Sequence, residues 1–524
     1  MFQVLTGTSV AGNNGWLTTD VVSGVPQRSP AWGAYSGSWP AQKRSSFEAQ
    51  SLHLPSSNEY RLEPSWFGGG ARKRAAQRGR CPNCYCPQQT TRQSPRCAVS
   101  DETYMDRCIQ LALMARPSPN PPVGCVVVDP DTGRIVGEGF HPRAGYPHAE
   151  QYALQATFTT LRNASSHQNQ HLAATVSEPV AALPGSARGM HVYVTLEPCN
   201  HYGRTPPCTE SLIQAQVSRV VIGTRDPDPR TAGSGAERLR RAGIEVQFGP
   251  RAAECLKLYE GFQHRIHHQT PLGILKYAMS LDGKIATETG DARWVSSATS
   301  RRYVHELRAR CDAVVVGAGT VRRDDPALTV RLEESIDVPE LGYGQPLRVV
   351  MCTSAARLWR DRPDAKLWDT SVAPTVLAVS SAGEVSSSKE LDAAEREAIL
   401  ALRSRGVQIA YLDALLPLPP TRALMQWLYD YGCTTVLWEC GGTLATSAVR
   451  ESAVHKILVF VAPKLVGGRS SPTPIAADLG VRNMEEALAL RLGRMEVIGS
   501  GQDVLIEAYL DSNKLSPDAA SGTT

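Results

Sequence analysis

At His148-Ala149-Glu150 an imidazole and a carboxylate sit two residues apart, and about 50 residues later come Pro198-Cys199 and then Cys208. One histidine and two thiolates would give zinc three protein ligands. The fourth tetrahedral position is then left for water, which is the arrangement of a catalytic rather than a structural site. Zinc brings the pKa of a bound water towards 7. Glu150, beside a ligand without being one, could carry the released proton to a ring nitrogen and on to departing ammonia. Taken singly, each of these residues is ordinarily a satisfied buried histidine or a core cysteine; it is the set that points to hydrolytic deamination.

The arrangement matches the H-x-E and P-C-x-x-C signature of zinc deaminases with one departure. Eight residues, Asn200 to Pro207, separate the two cysteines where the general signature has two. Cys199 follows Pro198, and Cys208 follows Pro206 and Pro207. Both cysteines are therefore expected at helix starts, where the helix dipole favours thiolate.

These residues need a scaffold, and the pattern around them is that of an α/β sheet. A helix is expected from Asp101 through Met114, a strand at Val123 to Val128, and a helix from His148 to about Ala156. A strand at His191 to Leu196, a helix from Cys208 to about Ala215 and a strand at Arg219 to Gly223 follow. Thr157 to Arg188, rich in Ser, His, Gln, Asn and Ala, has no strong pattern and reads as a surface insertion. Ala252 to His268 reads as a linking helix, and a second α/β unit begins with an apolar strand at Leu272 to Ala278. Within that unit Ser380 to Lys389 and Leu415 to Thr421 read as loops. The expected organisation is a leader over 1–100, a first domain over 101–249, a linker over 250–271, a second domain over 272–511 and a disordered tail over 512–524.

The second unit carries two places where a strand feeds a glycine turn into a helix, the setting in which free amides and the helix dipole meet a phosphate. One is AVVVGAGTV, Ala313 to Val321, followed by Arg322 and Arg323; the other is TVLWECGGTLATSAV, Thr435 to Val449. Neither is a full G-x-G-x-x-G, and a glycine pair after a strand is more often a tight turn.

With 524 residues the chain is long enough for two or three domains. A hydrophobic content of 42% and a charged content of 20%, without a run of about 18 apolar residues, exclude a membrane-spanning reading. The net charge of +4 is concentrated near the N-terminus and so argues little for a polyanionic partner. Thirteen cysteines spread over such a length suggest reduced thiols and metal ligation, not a disulfide framework. The first 100 residues are poor in acid, rich in Ser and Arg, and lack the apolar segment of a secretory signal. They read as an organelle transit peptide, with a plastid preferred over a mitochondrion or the cytoplasm. Cys81, Cys84, Cys86 and Cys97 lie close enough for a zinc knuckle, but no apolar periodicity accompanies them, and incidental thiols in a removable leader are expected.

The long cysteine spacing is itself informative. LEPCNHYGRTPPC, Leu196 to Cys208, resembles the deaminase half of the bifunctional deaminase/reductase family of riboflavin biosynthesis. The resemblance continues through PNPPVGCVVV (Pro119 to Val128), GEGFHPRAGYPHAE (Gly137 to Glu150) and DPDPRTAGSG (Asp226 to Gly235). It extends into the second unit through LKYAMSLDGKIA (Leu275 to Ala286), RWVSS (Arg293 to Ser297), Leu307 to Arg331 and FVAPKLVGG (Phe460 to Gly468).

It implies a cytidine deaminase-like three-layer α/β domain followed by a dihydrofolate reductase-like α/β domain. The implied substrate is a diaminopyrimidinone bearing a ribosylamino 5-phosphate, whose exocyclic amine is hydrolysed before NADPH reduces the ribosyl ring to a ribityl chain. Zinc would sit on His148, Cys199 and Cys208, with Glu150 catalytic and Asn120, His201, Arg204 and Thr205 binding substrate. In the second domain Trp294, Thr320, Asp324, Thr353 and Gly441, Gly442 and Thr443 would contact the cofactor. Arg308, Leu328, Arg331 and Glu439 would hold substrate, with Lys276 and Asp282 the charged groups nearest the reacting sugar. A homo-oligomer is compatible with the resemblance.

Two positions depart from the family. Ala292 stands where a substrate-binding serine is expected, and Cys352-Thr353 stand where the family has Asp followed by Ser. A missing hydrogen bond to a charged substrate typically costs about 1.5 to 3 kcal/mol, which weakens binding without abolishing chemistry. Because Lys276, Ser280, Asp282, Trp294, Arg308 and Asp324-Asp325-Pro326 are kept, a working reductase is expected. The alternative is a deaminase with a non-catalytic second domain. A nucleic-acid editing deaminase would need basic and aromatic surfaces, which 6% aromatic content and the absence of a basic stripe in the folded part do not supply.

Overall fold

A computed structural model describes residues 99–165, 184–203, 206–331, 344–380, 389–412, 420–499 and 502–510. The expected leader and its cysteine cluster, Arg204, Thr205, the tail and most of the two expected loops lie outside the described residues.

The first half begins with α1 (Asp101–Ala112), whose N-cap Ser100 accepts a hydrogen bond from the Thr103 amide. It continues with β1 (Gly124–Asp129), β2 (Arg134–Phe140), α2 (Ala149–Ser165), β3 (His191–Leu196), α3 (Cys208–Gln214), β4 (Arg219–Thr224), α4 (Ser234–Arg241) and β5 (Glu245–Phe248). These strands form one sheet in the order β2-β1-β3-β4-β5, with β1 antiparallel to both neighbours and β3, β4 and β5 parallel. Alternation along the strands divides the core into two layers. Cys125, Val127, Val192, Val194, Val220 and Ile222 pack with Ala149, Ala153, Leu154, Leu212 and Leu239 of α2, α3 and α4. Val126, Val128, Tyr193 and Val221 pack with Tyr104, Met105 and Cys108 of α1.

Gly139 lets α2 approach β2 closely: a Cβ there would stand 2.4 Å from the Ala149 carbonyl oxygen. The helix is thereby pressed against the sheet at the turn that carries Glu150.

The helix expected to stop near Ala156 runs on to Ser165, so the patternless stretch begins as helix. Within it two threonine hydroxyls are satisfied by donating to carbonyls one turn back, Thr157 to Ala153 (2.8 Å) and Thr159 to Gln155 (3.1 Å).

The segment expected as a linking helix is two helices, α5 (Ala252–Leu258) and α6 (Glu260–His268). Cys255 and Tyr259 are buried in the core of the first half, and the Tyr259 hydroxyl donates to Thr195 Oγ1 over 2.6 Å. Gly261, in contrast, abuts Thr434 and Thr435 of the second half. The segment is thus fitted into both halves instead of spanning a gap.

The second half consists of β6 (Leu272–Ser280), α7 (Ala298–Arg310), β7 (Ala313–Gly317), α8 (Ala318–Asp324), β8 (Leu347–Cys352), α9 (Ala355–Asp361), β9 (Thr375–Ser380), α10 (Lys389–Ser404), β10 (Gln408–Leu412), α11 (Thr421–Tyr431), β11 (Thr435–Trp438), α12 (Gly442–Arg450), β12 (Lys456–Ala462), β13 (Leu490–Ile498) and β14 (Asp503–Leu510). The strand order is β10-β9-β8-β7-β11-β6-β12-β14-β13. All neighbours are parallel except the antiparallel pairs β12–β14 and β14–β13. Near-continuous apolar strands such as Val314 to Val316 and Val349 to Val350, buried on both faces, are what a helix-covered parallel sheet requires.

Polar contacts join the halves. Arg116 donates to the Cys311 carbonyl (2.6 Å), Ser118 meets Thr434 (3.0 Å), and Lys456 pairs with Glu260 (2.8 Å). Among the described residues no helix is long and apolar enough to cross a membrane, and every cysteine is free.

Candidate active sites

The start of α2 supplies His148 and Glu150, the segment after β3 supplies Cys199, and the start of α3 supplies Cys208. The ligand atoms of His148, Cys199 and Cys208 all lie within 4.8 Å of one another. His148 Nδ1 is 3.2 Å from the Cys208 sulfur and 3.5 Å from that of Cys199. One nitrogen and two sulfurs converging in this way form a donor set suited to zinc.

Cys208 opens a helix as expected, but Cys199 does not: it lies between β3 and α3, outside any helix. Pro207 is the N-cap residue before Cys208, whereas Pro198 precedes no helix. Cys199 nevertheless gains the benefit of a helix start, because the Cys208 amide donates to its sulfur over 3.3 Å. Hydrogen bonds from the Cys208 thiol, His148 and this amide outweigh burial and hold the Cys199 thiol well below its ordinary value.

Glu150 is buried, 3% exposed, and burial raises its pKa, with the Cys199 charge adding and His148 opposing. Behind His148 stands His141, a residue the sequence did not single out. Its Nδ1 is 2.9 Å from the Pro147 carbonyl oxygen and its Nε2 is 3.0 Å from the Asn120 amide nitrogen. Burial lowers its pKa to about 4, so it is neutral, donating to Pro147 and accepting from Asn120. His201 is exposed.

Glu197 is a second residue the sequence did not single out. Its buried carboxylate accepts from the amides of Gly233 and Ala236 (2.9 Å each), tying the Pro198-Cys199 segment to the start of α4. A carboxylate next to Pro-Cys invites reading as catalytic or incidental; only the fold reveals it as a bracket.

The second site is a cavity of about 560 Å³ at the carboxyl ends of β6, β7 and β11. There β6 and β7, joined through α7, flank β11, and such crevices are where open α/β sheets take ligands. Lys276, Trp294, Thr320, Asp324, Arg308, Arg331, Glu439, Gly441, Gly442 and Thr443 all line it, as does Ala292. Gly441 caps α12, and a Cβ on Gly442 would stand 2.4 Å from the Thr473 carbonyl oxygen, so only glycine fits. A Cβ on Gly441 would find only Arg323 nearby, at 3.8 Å. This open glycine turn before a nine-residue helix suits a dinucleotide phosphate.

Arg308 and Glu439 form a bidentate pair (2.5 and 2.8 Å) with side chains 12% and 11% exposed. Burial works against the Glu439 charge, but Arg308 prevails and its pKa is lowered. Burial lowers the pKa of Lys276, with Glu439 opposing.

Three expected residues do not line the cavity. Asp282 is exposed, and its carboxylate accepts from Ser280 Oγ (2.6 Å) and the amides of Val466 (3.1 Å) and Gly467 (2.7 Å), so it organises a loop. Those bonds lower its pKa to about 2. The Leu328 side chain is packed in the core at 3% exposure, and Thr353 is exposed beyond the end of β8. A charged or apolar residue inside a strong motif looks alike in sequence whether it faces ligand, loop or core.

Residues 98–224 match the cytidine and deoxycytidylate deaminase zinc-binding region, and residues 271–504 match the RibD C-terminal domain. Riboflavin biosynthesis protein RibD of Synechocystis sp. is 42% identical over 79% of this chain and 98% of that protein. Riboflavin biosynthesis protein PYRR, chloroplastic, of Arabidopsis thaliana is 35% identical over 79% of this chain and 61% of that protein. The crystal structure of a diaminohydroxyphosphoribosylaminopyrimidine deaminase/5-amino-6-(5-phosphoribosylamino)uracil reductase from Thermotoga maritima is also similar, with a TM-score of 0.58 and 31% identity over 78% of this chain and 99% of that one.

Proposed function

We propose a function that starts from kinship, since this chain belongs to the RibD family of riboflavin biosynthesis proteins. It is a bifunctional enzyme that hydrolyses the exocyclic amine of a diaminopyrimidinone bearing a 5-phosphoribosylamino group, then reduces the ribosyl group of the resulting uracil to ribityl with NADPH. The observation that carries this is the meeting of one imidazole and two thiols, 51 and 60 residues apart in sequence, beside a buried carboxylate.

In the first half, His148, Cys199 and Cys208 hold zinc. When bound, the ion supplies the Lewis acidity that makes a water proton removable near neutral pH. Glu150 is placed to accept a proton from water as the water oxygen bonds to the ring carbon, and to deliver it to the exocyclic nitrogen, which leaves as ammonia when the C–N bond breaks. Neutral His141 fixes the Asn120 amide nitrogen, leaving the Asn120 carbonyl oxygen to accept from the substrate's ring amine. His201, Arg204 and Thr205 serve the phosphoribosyl end.

In the second half, NADPH supplies hydride when bound. The amides of Gly442 and Thr443 with the Gly441 turn hold its phosphates, while Trp294, Thr320 and Asp324 border it. Arg308, kept in place by Glu439, and Arg331 bind the substrate's polar groups, and Lys276 stands nearest the sugar. Asp282 holds the 466–467 loop and does not line the cavity. Ala292 offers the substrate no hydroxyl.

The enzyme works in a plastid, a reading supported by the low-acid leader and by the chloroplastic names of plant relatives. It acts as a homo-oligomer. The edge strand β13 presents Leu490, Leu492, Met495 and Val497 at 47–67% exposure. Antiparallel pairing of β13 with its copy can set Arg491 opposite Glu496 and Leu492 opposite Met495, a self-complementary register.

Mass spectrometry tests the activity. With the diaminopyrimidinone alone the product should show exchange of an amine for oxygen, and with NADPH a further gain of two hydrogens. An unchanged substrate in both reactions overturns the proposal.

A further inference from the structure

Five cationic side chains line the cavity of the second half: Lys276, Arg301, Arg308, Arg323 and Arg331. Most are engaged or spoken for. Arg308 is clasped by Glu439, and Lys276 lies within the field of that same carboxylate. Arg301 donates to the Ser296 carbonyl (2.8 Å), with its guanidinium 4.4 Å from the centre of the Trp294 ring. Arg331 stands at the α7 end, its backbone amide donating to His305 Nδ1 over 3.2 Å, while its exposed guanidinium makes no hydrogen bond or ion pair with any described residue.

Arg323 differs from Arg331 in its place, since it is the one that stands beside the Gly441 turn. Its side chain is exposed and makes no hydrogen bond or ion pair with any described residue. Its neighbour Arg322 is paired: Nε donates to Asp361 (2.8 Å), and its backbone carbonyl accepts from Arg362 (2.7 and 3.0 Å). One of two adjacent arginines is therefore tied to α9 while the other is free at the cavity wall. The free guanidinium lies 3.8 Å from where a Cβ on Gly441 would stand, beside the N-terminus of α12. An unpaired cation next to unfilled helix amides concentrates positive potential on an open cavity, and an anion relieves it.

A dinucleotide brings two kinds of phosphate to such a place. The bridging diester suits backbone amides, whereas a terminal monoester, carrying more charge, suits the planar fork of a guanidinium. We propose that Arg323 binds the phosphate monoester that distinguishes NADPH from NADH, and so sets this chain's preference between the two. The assignment rests on the reductase reading given above.

The test uses the full chain and measures binding by calorimetry for NADPH, NADH and 2′,5′-ADP, with wild type, Arg323→Ala and Arg323→Lys. Arg323→Ala should weaken NADPH and 2′,5′-ADP about tenfold to a hundredfold, the range expected for a charge-assisted hydrogen bond, and leave NADH unchanged. Arg323→Lys should recover part of the loss by restoring the charge without the fork. Ammonia release at the wild-type rate shows that the variants are folded. Equal weakening of NADPH and NADH would move Arg323 to the bridging phosphate, and no weakening would remove it from the cofactor; either overturns the assignment. If wild type binds neither dinucleotide while still releasing ammonia, the reductase reading itself fails, and this assignment with it.

Discussion

The backbone amide of Cys208 donates to the sulfur of Cys199 over 3.3 Å, joining two residues nine positions apart across the Asn200–Pro207 loop. The first amide of α3 thus supports a thiolate that belongs to no helix. This explains how the cysteines can be separated by eight residues and still share a metal: the contact brings the two ends of the segment together.

Glu150→Gln should lower ammonia release by about a hundredfold or more, in line with the loss of a general acid/base, while zinc per chain stays unchanged. Metal analysis beside an ammonia assay decides it. Retained deamination would remove Glu150 from proton transfer, and loss of zinc would make it a structural support.

Gly235→Ala should damage the first site from outside it. The added Cβ would stand 2.1 Å from the Pro198 carbonyl oxygen, so either α4 or the Pro198-Cys199 segment must move. Zinc content and ammonia release should both fall, whereas NADPH oxidation on supplied aminouracil intermediate should persist. A variant with full zinc and full deamination would show that the segment tolerates displacement.

How much of this was legible in the sequence differs between the two sites. The strand at His191 to Leu196 and the helix beginning at Cys208 stand where the apolar runs and prolines put them, because those signals are local. The convergence of His148, Cys199 and Cys208 was legible as a pattern, since their types and spacing are tied to one metal geometry. His141 and Glu197 were not, because their work is to hydrogen-bond backbone and amide groups that become neighbours only on folding. In the second site, Lys276, Arg308 and Glu439 converge as read, but Asp282 and Leu328 show the limit of a motif: it marks a segment, not the direction each side chain takes.

Glu439→Gln should destabilise the second half by about 3 to 5 kcal/mol, because it leaves the Arg308 guanidinium buried without its counter-charge. Denaturant unfolding gives the size of the effect. Adding Arg308→Gln should recover part of it, since the two residues act as one unit. Additive losses in the double variant would mean that the pair is not coupled.

Acid should loosen the junction of α6 with the second sheet. The rings of His264 and His455 lie 4.1 Å apart, with His268 4.4 Å from His264 and His267 on the same helix. Burial, followed by the neighbouring imidazoles, lowers His264 to about 2 and His455 to about 4, from an ordinary 6.5. Both are neutral in the fold, whereas the unfolded chain takes up protons below about pH 6.5. Stability from this pair is therefore fully present above about pH 6.5 and is lost as pH falls towards 4. Unfolding midpoints across that interval should drop with acid, and His264→Phe with His455→Gln should flatten the slope. An unaltered slope in the double variant would place the acid sensitivity elsewhere.

The central claim, two working half-reactions in one chain, is tested most directly by supplying the diaminopyrimidinone substrate to the purified enzyme and following ammonia release and NADPH absorbance together. Ammonia should appear with or without NADPH, and NADPH oxidation should follow it in wild type. Glu150→Gln should show neither, yet should oxidise NADPH when given the aminouracil intermediate. Ammonia release with no NADPH oxidation, from substrate or from supplied intermediate, would contradict the account and leave a deaminase carrying a silent second half.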